Sequence, residues 1–309
     1  MRTPALERVF VTGSKGQLGK AFVDRLSPDA SVTGADVDDV DIADAGAVRA
    51  VVRDLRPTTI INCAAFTDVD GAEHRPLDAY RTNAEAVWCL AGLANELDAV
   101  LLHFSTEFVY DGTLDRPYTE DDDPAPQSVY GMTKLVGERF AGTAARSYVL
   151  RLSSLYGGHT RRTSVDWILR QAQSGGRVTA FADRTVSPSY VPDVVRVALD
   201  VLSSGAPFGL YNCGSVDWCT WADLAAHVLA ACGRPDLLQR VPFVPQTDRA
   251  VRPRNCAMSA SKLCGAAVPP SRRWSEALSD YLMREGVASD GELPRRSSAR
   301  NDSTSLSNL

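Results

Sequence analysis

No apolar run in this 309-residue chain approaches the roughly eighteen residues that a membrane-spanning helix needs. The opening stretch Met1-Arg-Thr-Pro-Ala-Leu-Glu-Arg8 lacks the apolar core of a secretory signal and leads straight into a strand pattern, so a cytoplasmic protein is expected. Positive charge is in short supply. Lys and Arg number 33 against 38 Asp and Glu, and the net charge of −5 argues against a nucleic-acid surface or a polybasic membrane anchor. The four histidines, at 74, 103, 159 and 227, are too scattered for a zinc site. His103, between Leu102 and Phe104, reads as a structural strand residue. Cysteines stand at 63, 89, 213, 219, 232, 256 and 264, an odd number without a Cys-x-x-Cys pair. Most have apolar neighbours, which favours small reduced core thiols. Asp121-Asp-Asp123, in an acidic, proline-bearing loop over 114–126, reads as a solvated turn; no metal is expected. Neither an internal repeat nor a coiled-coil pattern is present.

What remains is an ordinary globular composition, 44% hydrophobic and 23% charged, with enough length for a sizeable core. Residues 8–13 read as a short buried strand ending in Gly13. Gly13-Ser-Lys-Gly16-Gln-Leu-Gly19 follows, then a helical pattern through Leu26. Strand, glycine turn and helix start stand in the order of a dinucleotide site, although the spacing is Gly-x-x-Gly-x-x-Gly and a plain turn would share it. In the dinucleotide reading Gly13 permits the tight turn, Gly16 lets backbone approach a pyrophosphate on the helix N-terminus, and Gly19 lets the helix close on the strand. Asp36, after a strand at Ser31–Ala35, lies at the distance of a ribose-binding carboxylate. Lys15, in the turn, could instead face a 2′-phosphate, and Asp38, Asp39 and Asp41 blur the choice, so NADPH and NADH both stay open. Helices at Ala45–Leu55 and 76–97 alternate with strands at 58–65 and 99–106. Such alternation implies a doubly wound parallel α/β sheet of Rossmann type. Ligands bind such sheets beyond the carboxyl ends of the strands, where Gly13, Asp36, Ala64 and Thr106 all fall.

Tyr130 and Lys134 stand four apart in Ser128-Val-Tyr-Gly-Met-Thr-Lys134, one turn apart on a helix face. An adjacent ammonium favours the phenolate, so the pair is expected to be an acid/base with a lowered Tyr130 pKa. The spacing alone would equally describe a surface tyrosine beside a solvated lysine.

Three stretches in order, Thr12-Gly-Ser-Lys-Gly-Gln-Leu-Gly19, Ser105-Thr-Glu-Phe-Val-Tyr-Asp-Gly112 and Tyr130-Gly-Met-Thr-Lys134, resemble the extended short-chain dehydrogenase/reductase family. With Asn62-Cys-Ala-Ala-Phe-Thr-Asp-Val-Asp-Gly-Ala-Glu73, Val149-Leu-Arg-Leu-Ser-Ser-Leu-Tyr-Gly157 and Arg252-Pro253, they are most similar to its dTDP-4-dehydrorhamnose reductase branch, over about residues 8–285. The resemblance implies NADPH- or NADH-dependent reduction of the C4 keto group of a nucleotide-linked, dTDP-type 4-keto-6-deoxyhexose. It implies a triad of Thr106, Tyr130 and Lys134, with Ser105 as the neighbouring hydroxyl. Tyr130 would donate the proton, Thr106 would bond the same oxygen, and Lys134 would hold the nicotinamide ribose. Cofactor contacts implied are Gly16, Gln17 and Leu18 at the pyrophosphate, Asp41 and Ile42 near the adenine, the wall Ala64-Ala65-Phe66, and Ser105 at the nicotinamide. Gly13, Lys15, Gly19, Asp36 and Asn83 complete the candidate cofactor set. Ser154 stands where rhamnose reductases can carry Trp, which leaves the exact sugar and the C4 stereochemistry open. An epimerase or dehydratase of the same fold, or a non-catalytic dinucleotide-binding subunit, are the alternatives.

The remaining elements are read as strands at 147–155, 178–182 and 209–214 and helices at 164–173, 193–203 and 220–232. Residues 1–155 are expected to form mainly the dinucleotide domain, and 156–287 a smaller substrate-binding domain with segments returning to the sheet. The polar stretch 288–309 is expected to be disordered. Arg184, Arg252 and Arg254 are candidates for pairing with the substrate's diphosphate, while Trp218 and Trp221 read as packing residues. A homodimer is compatible with the family; nucleic acid and membrane are not expected as partners.

Overall fold

The computed structural model describes residues 6–245 and 248–287; the expectation for 288–309 lies outside the described residues. A six-stranded parallel sheet organises it, built from β1 (Arg8–Thr12), β2 (Ser31–Ala35), β3 (Thr59–Asn62), β4 (Val100–Thr106), β5 (Ser147–Leu152) and a sixth strand, Gly209–Asn212. The spatial order is sixth strand–β5–β4–β3–β1–β2, with every pairing parallel. Only β2 lies beyond β1, so the order is 2-1-3-4-5-6 rather than the 3-2-1-4-5-6 of six-stranded dinucleotide folds. Winding reverses between β1 and β3, and this reversal opens a crevice at their carboxyl ends.

Helices cover both faces, which is why β3, β4 and β5 are buried throughout and mostly apolar. Period-two alternation sorts the side chains. Val9 and Val11 point into the core beneath α1 (Gln17–Leu26), while Phe10 points into the core beneath α2 (Ala45–Leu55). Asp44 caps α2 by accepting from the Gly46 and Ala47 amides, and Arg56 ends it in the left-handed region before Pro57.

The 76–97 segment is α4 (Pro76–Tyr80), one π turn (Arg81–Glu85) and α5 (Ala86–Leu97). A short α3 (Val69–His74) precedes it. Ser128 caps α6 (Val129–Ala141) through the Gly131 amide, 3.2 Å from its hydroxyl. The expected strand 147–155 stops early. Ser154 takes a φ of 38°, and Leu155–Tyr156 pairs with Ser189–Tyr190 away from the main sheet.

Beyond it, α7 (Ser164–Ser174), α8 (Val191–Ser204), α9 (Trp221–Ala231), α10 (Ser261–Gly265) and α11 (Trp274–Arg284) alternate with short strand pairs. α8 packs under α1 against the main sheet, whereas α7, α9 and α11 share a separate core around Ile168, Leu224 and Leu278. Among the described residues, no helix is long and apolar enough to cross a membrane.

Candidate active site

A cleft of about 1070 Å³ runs past the carboxyl ends of β1, β3 and β4 and is walled on its far side by residues from 152 onward. Gly13 makes its floor. Its φ is 62°, and a Cβ there would lie 2.7 Å from the Ala64 backbone nitrogen, so only glycine lets the turn meet the end of β3. Gly16 caps α1 without any side chain bonding the first turn. The helix N-terminus is thereby left to the cleft lined by Gly16, Gln17 and Leu18. Gln17 Oε1 is buried without a hydrogen-bond partner, as is the hydroxyl of Ser105 at the end of β4. A glycine cradle, a helix start and two orphaned polar atoms in one cleft fit a dinucleotide.

Asp36 directly follows β2, its carboxylate accepting from the Lys15 amide at 2.8 Å and the Val37 amide at 2.9 Å. The Lys15 ammonium lines this end of the cleft and forms solvent-exposed ion pairs with Asp38 at 3.1 Å and Asp39 at 3.6 Å. Asp41 and Ile42 line the same end of the cleft.

Two expected cofactor contacts lie elsewhere. Gly19 faces the turn itself, where a Cβ would lie 2.0 Å from Gly13 O, and is absent from the cleft wall. Asn83 is buried behind that wall. Its amide accepts from Phe66 N at 2.9 Å and donates to Phe66 O and to Thr133 Oγ1, both at 3.1 Å. Asn83 therefore braces the Cys63–Phe66 wall, and the π turn is what carries it to that backbone.

Thr106, Tyr130 and Lys134 line the cleft beside Ala64 and Ser105. Lys134 is 3% exposed and donates to Phe104 O at 2.6 Å. Burial pulls its pKa down to about 8, against the opposing influence of Glu138 and Cys63. The expected lowering of the Tyr130 pKa is corrected by the structure. Burial raises it, the Glu107 carboxyl raises it further, and only the Thr106 hydroxyl opposes. Desolvation of the phenolate is the largest influence, and one of the three ammonium protons of Lys134 goes to Phe104 O. Phe108 packs edge-on against the Tyr130 ring at 5.6 Å.

Thr106 Oγ1 donates to Glu107 Oε2 at 2.8 Å and accepts from Phe108 N at 3.2 Å. Beneath the site, Thr12 donates to Asn62 Oδ1 at 2.6 Å, and the Asn62 amide meets His103 Nδ1 at 3.0 Å. His103 is a buried strand residue held neutral by desolvation and by the Lys134 charge.

Of the three candidate arginines on the far wall, Arg184 and Arg252 line the cleft. Arg252 forms a two-pronged pair with Asp70 at 2.9 and 3.0 Å across the cleft mouth. Arg184 is 3% exposed, donates to Pro253 O at 3.0 Å and lies over the rings of Trp221 and Phe243. Arg254 is absent from the lining and pairs with Asp183 on the surface. Trp221, read as a packing residue, is buried but reaches the cleft, and Trp218 is exposed. Glu107, Asp70 and Ser154 also line the cleft. Sequence reasoning singles out Ser154 only as a departure from the reductase pattern and gives Glu107 and Asp70 no role; of those two, Glu107, beside the Thr106 hydroxyl, carries a local signal.

Comparison with known proteins agrees with this geometry. The family described as "RmlD substrate binding domain" matches residues 7–286. A dTDP-4-dehydrorhamnose reductase of Mycolicibacterium smegmatis is 32% identical over 295 residues, covering 93% of this chain and 89% of the relative. A dTDP-4-dehydrorhamnose reductase of Clostridium acetobutylicum superposes with a TM-score of 0.84 at 30% identity, covering 90% of this chain and 99% of that one. The Bacillus anthracis dTDP-4-dehydrorhamnose reductase, solved in complex with NADP, gives 0.85 at 28% identity with the same coverage. The chain described here belongs to the RmlD substrate-binding-domain family, whose relatives include these reductases.

Proposed function

We propose that the protein reduces the C4 keto group of a dTDP-linked 4-keto-6-deoxyhexose, with NADPH or NADH as reductant, in deoxysugar biosynthesis. The observation that carries this reading is that Thr106, Tyr130 and Lys134 share one cleft with the Gly13 cradle. The dinucleotide, when bound, supplies the hydride. Gly13, Gly16, Gln17 and Leu18 would hold its pyrophosphate, Asp36, Asp41 and Ile42 its adenosine end, and Ala64, Ala65, Phe66 and Ser105 the nicotinamide end.

As the carbonyl carbon accepts hydride, negative charge grows on its oxygen. The Tyr130 hydroxyl delivers a proton there and Thr106 Oγ1 stabilises the same oxygen. With its pKa raised, Tyr130 is a protonated phenol at neutral pH, the form that can give a proton to the alkoxide. Lys134 places a buried positive charge beside the reacting groups. We assign residues 1–155 mainly to the dinucleotide half and 156–287 mainly to the substrate half. Arg184, Trp221 and the Arg252–Asp70 pair would face the nucleotide sugar.

The direct test is to mix the protein with NADPH or NADH and dTDP-4-keto-6-deoxyglucose, with and without a 3,5-epimerase, and follow reduced-nicotinamide absorbance. Stoichiometric consumption supports the reductase. Turnover without net consumption indicates an epimerase, and dinucleotide binding without turnover indicates a non-catalytic subunit. Tyr130→Phe is expected to remove most of the rate and leave dinucleotide affinity nearly unchanged; a fully active variant rejects the acid role.

A further inference from the structure

Among the described residues, Glu107 is the one buried carboxyl that touches the proposed reacting groups and that the scheme above leaves without a task. It follows Thr106 where β4 runs into the 3-10 turn Glu107–Val109, it is 5% exposed, and it lines the cleft. Both oxygens are engaged by hydroxyls: Oε2 by Thr106 Oγ1 at 2.8 Å and Oε1 by Ser153 Oγ, from the end of β5, at 3.1 Å. The titratable or charged groups close enough to influence it, or be influenced by it, are Tyr130 on α6, Arg184 on the far wall and the Cys256 thiol.

A hydroxyl has one proton to give. While Glu107 is ionised, Thr106 directs that proton to Oε2 and turns lone pairs toward the cleft, the wrong polarity for a growing alkoxide. When the carboxyl is protonated, its own O–H can donate to Thr106 Oγ1, and the threonine proton is released toward the substrate oxygen. We infer that Glu107 is a positioning residue whose protonated form converts Thr106 from a hydrogen-bond acceptor into a donor at the reacting carbonyl. Glu107 keeps its proton throughout; Tyr130 supplies the one that ends on the product. Burial favours this neutral state and raises the carboxyl's proton affinity, against the two hydroxyl bonds and the Arg184 charge. A raised carboxyl stays protonated to higher pH than usual, so the active form is present at low pH and is lost as pH rises through the Glu107 transition.

The inference rests on the reductase reading, and the two fail differently. If the wild-type protein consumes no reduced nicotinamide with the keto sugar, that reading is at fault. If it turns over, kcat is measured against pH for wild type, Glu107→Gln and Ser153→Ala, with KM, dinucleotide affinity by nicotinamide fluorescence, and thermal melting alongside. Loss of one hydroxyl donor lowers turnover by about 100-fold, so the wild-type kcat should fall by that order through one ionisation while KM changes little. The amide of the Glu107→Gln variant donates at every pH, so that variant should lose the ionisation and stay within about tenfold of the low-pH wild-type rate. Ser153→Ala removes a bond that favours the charged carboxylate, and should move the transition to higher pH. The inference is overturned if folded Glu107→Gln keeps the wild-type pH profile, or if it loses more than about 100-fold at all pH values while still binding dinucleotide. Should Glu107→Gln not fold, an unmoved or downward-shifted transition in Ser153→Ala overturns it instead.

Discussion

Lys134→Met should make the ligand-free protein more stable at neutral pH while destroying its turnover. The ammonium is 3% exposed, and its pKa falls from an ordinary 10.5 to about 8 chiefly because burial disfavours the charge. At 1.36 kcal/mol per unit, a depression of that size places roughly 3 kcal/mol of unfavourable free energy on the folded state when the group is charged. Methionine matches the length of the stem without the charge. It forfeits the bond to Phe104 O, worth about 1 kcal/mol, so a net gain of about 2 kcal/mol remains. For a chain of 309 residues, at about 2.1 cal/mol/K of unfolding entropy per residue, that corresponds to a melting-temperature rise of roughly 3 °C. The sign of the pH dependence is fixed as well. A basic group whose folded pKa lies below its unfolded value binds fewer protons when folded, so its penalty is complete below about pH 8 and is relieved as pH climbs toward 10.5. The advantage of the variant should therefore shrink across that window. Calorimetric melting of both proteins from about pH 6.5 to 10 decides it, since that range brackets the folded transition. A variant that melts lower than wild type at neutral pH, or a difference that ignores pH, refutes the reasoning.

Two other predictions concern the scaffold. The Arg151 guanidinium and Glu138 carboxylate form a fully buried pair, with bonds of 2.8 and 2.6 Å, and Arg151 also reaches the Tyr110 hydroxyl at 2.5 Å. Glu138→Ala should cost about 3–5 kcal/mol in urea unfolding by stranding a buried cation, and adding Arg151→Met should recover much of it; a loss under about 1 kcal/mol contradicts the pairing. Gly13→Ala should weaken NADH binding by about tenfold or more in a fluorescence titration, because the new methyl meets the Ala64 backbone at 2.7 Å and cannot adopt a φ of 62° without strain.

Much of the site is legible in the chain because its parts are local. The Gly13 turn needs only a strand, a glycine and a helix start in succession, and Tyr130 and Lys134 meet through the helical repeat alone. What is not legible is set by distance or burial. Arg252 and Asp70 are 182 positions apart, and no pattern along the chain announces their pairing. The direction of the Tyr130 pKa shift is hidden because sequence gives the lysine one turn away but not the burial that raises the phenol. A strand over 147–155 is too long because its run of residues has no proline or glycine before 157. The strand ends at Leu152, Ser154 turns with a φ of 38°, and Leu155–Tyr156 pairs with Ser189–Tyr190 instead. Asn83 reads as a cofactor contact while the extra residue of the π turn stays invisible, since a regular helix and a helix with one inserted residue share nearly the same periodicity.

The same contrast explains why α6 carries glycine where helix propensity would prefer alanine. A Cβ at Gly137 would lie 2.1 Å from Asn83 O, so the helix can lie against the π turn only because that side chain is absent. The intrinsic penalty of a mid-helix glycine, up to about 1 kcal/mol, is accepted there in exchange for close approach. One turn earlier on α6 stands Lys134, and one residue later Glu138 grips Arg151 on β5. Helix position, and with it the placement of Tyr130 and Lys134 over the ends of β3 and β4, thus depends on a small residue and a buried ion pair, neither of which touches the chemistry. Groups held in states that water would not favour, a desolvated ammonium and a phenol with a raised pKa, require a support that does not yield, and on α6 that support is written into Gly137, Glu138 and the Ser128 cap.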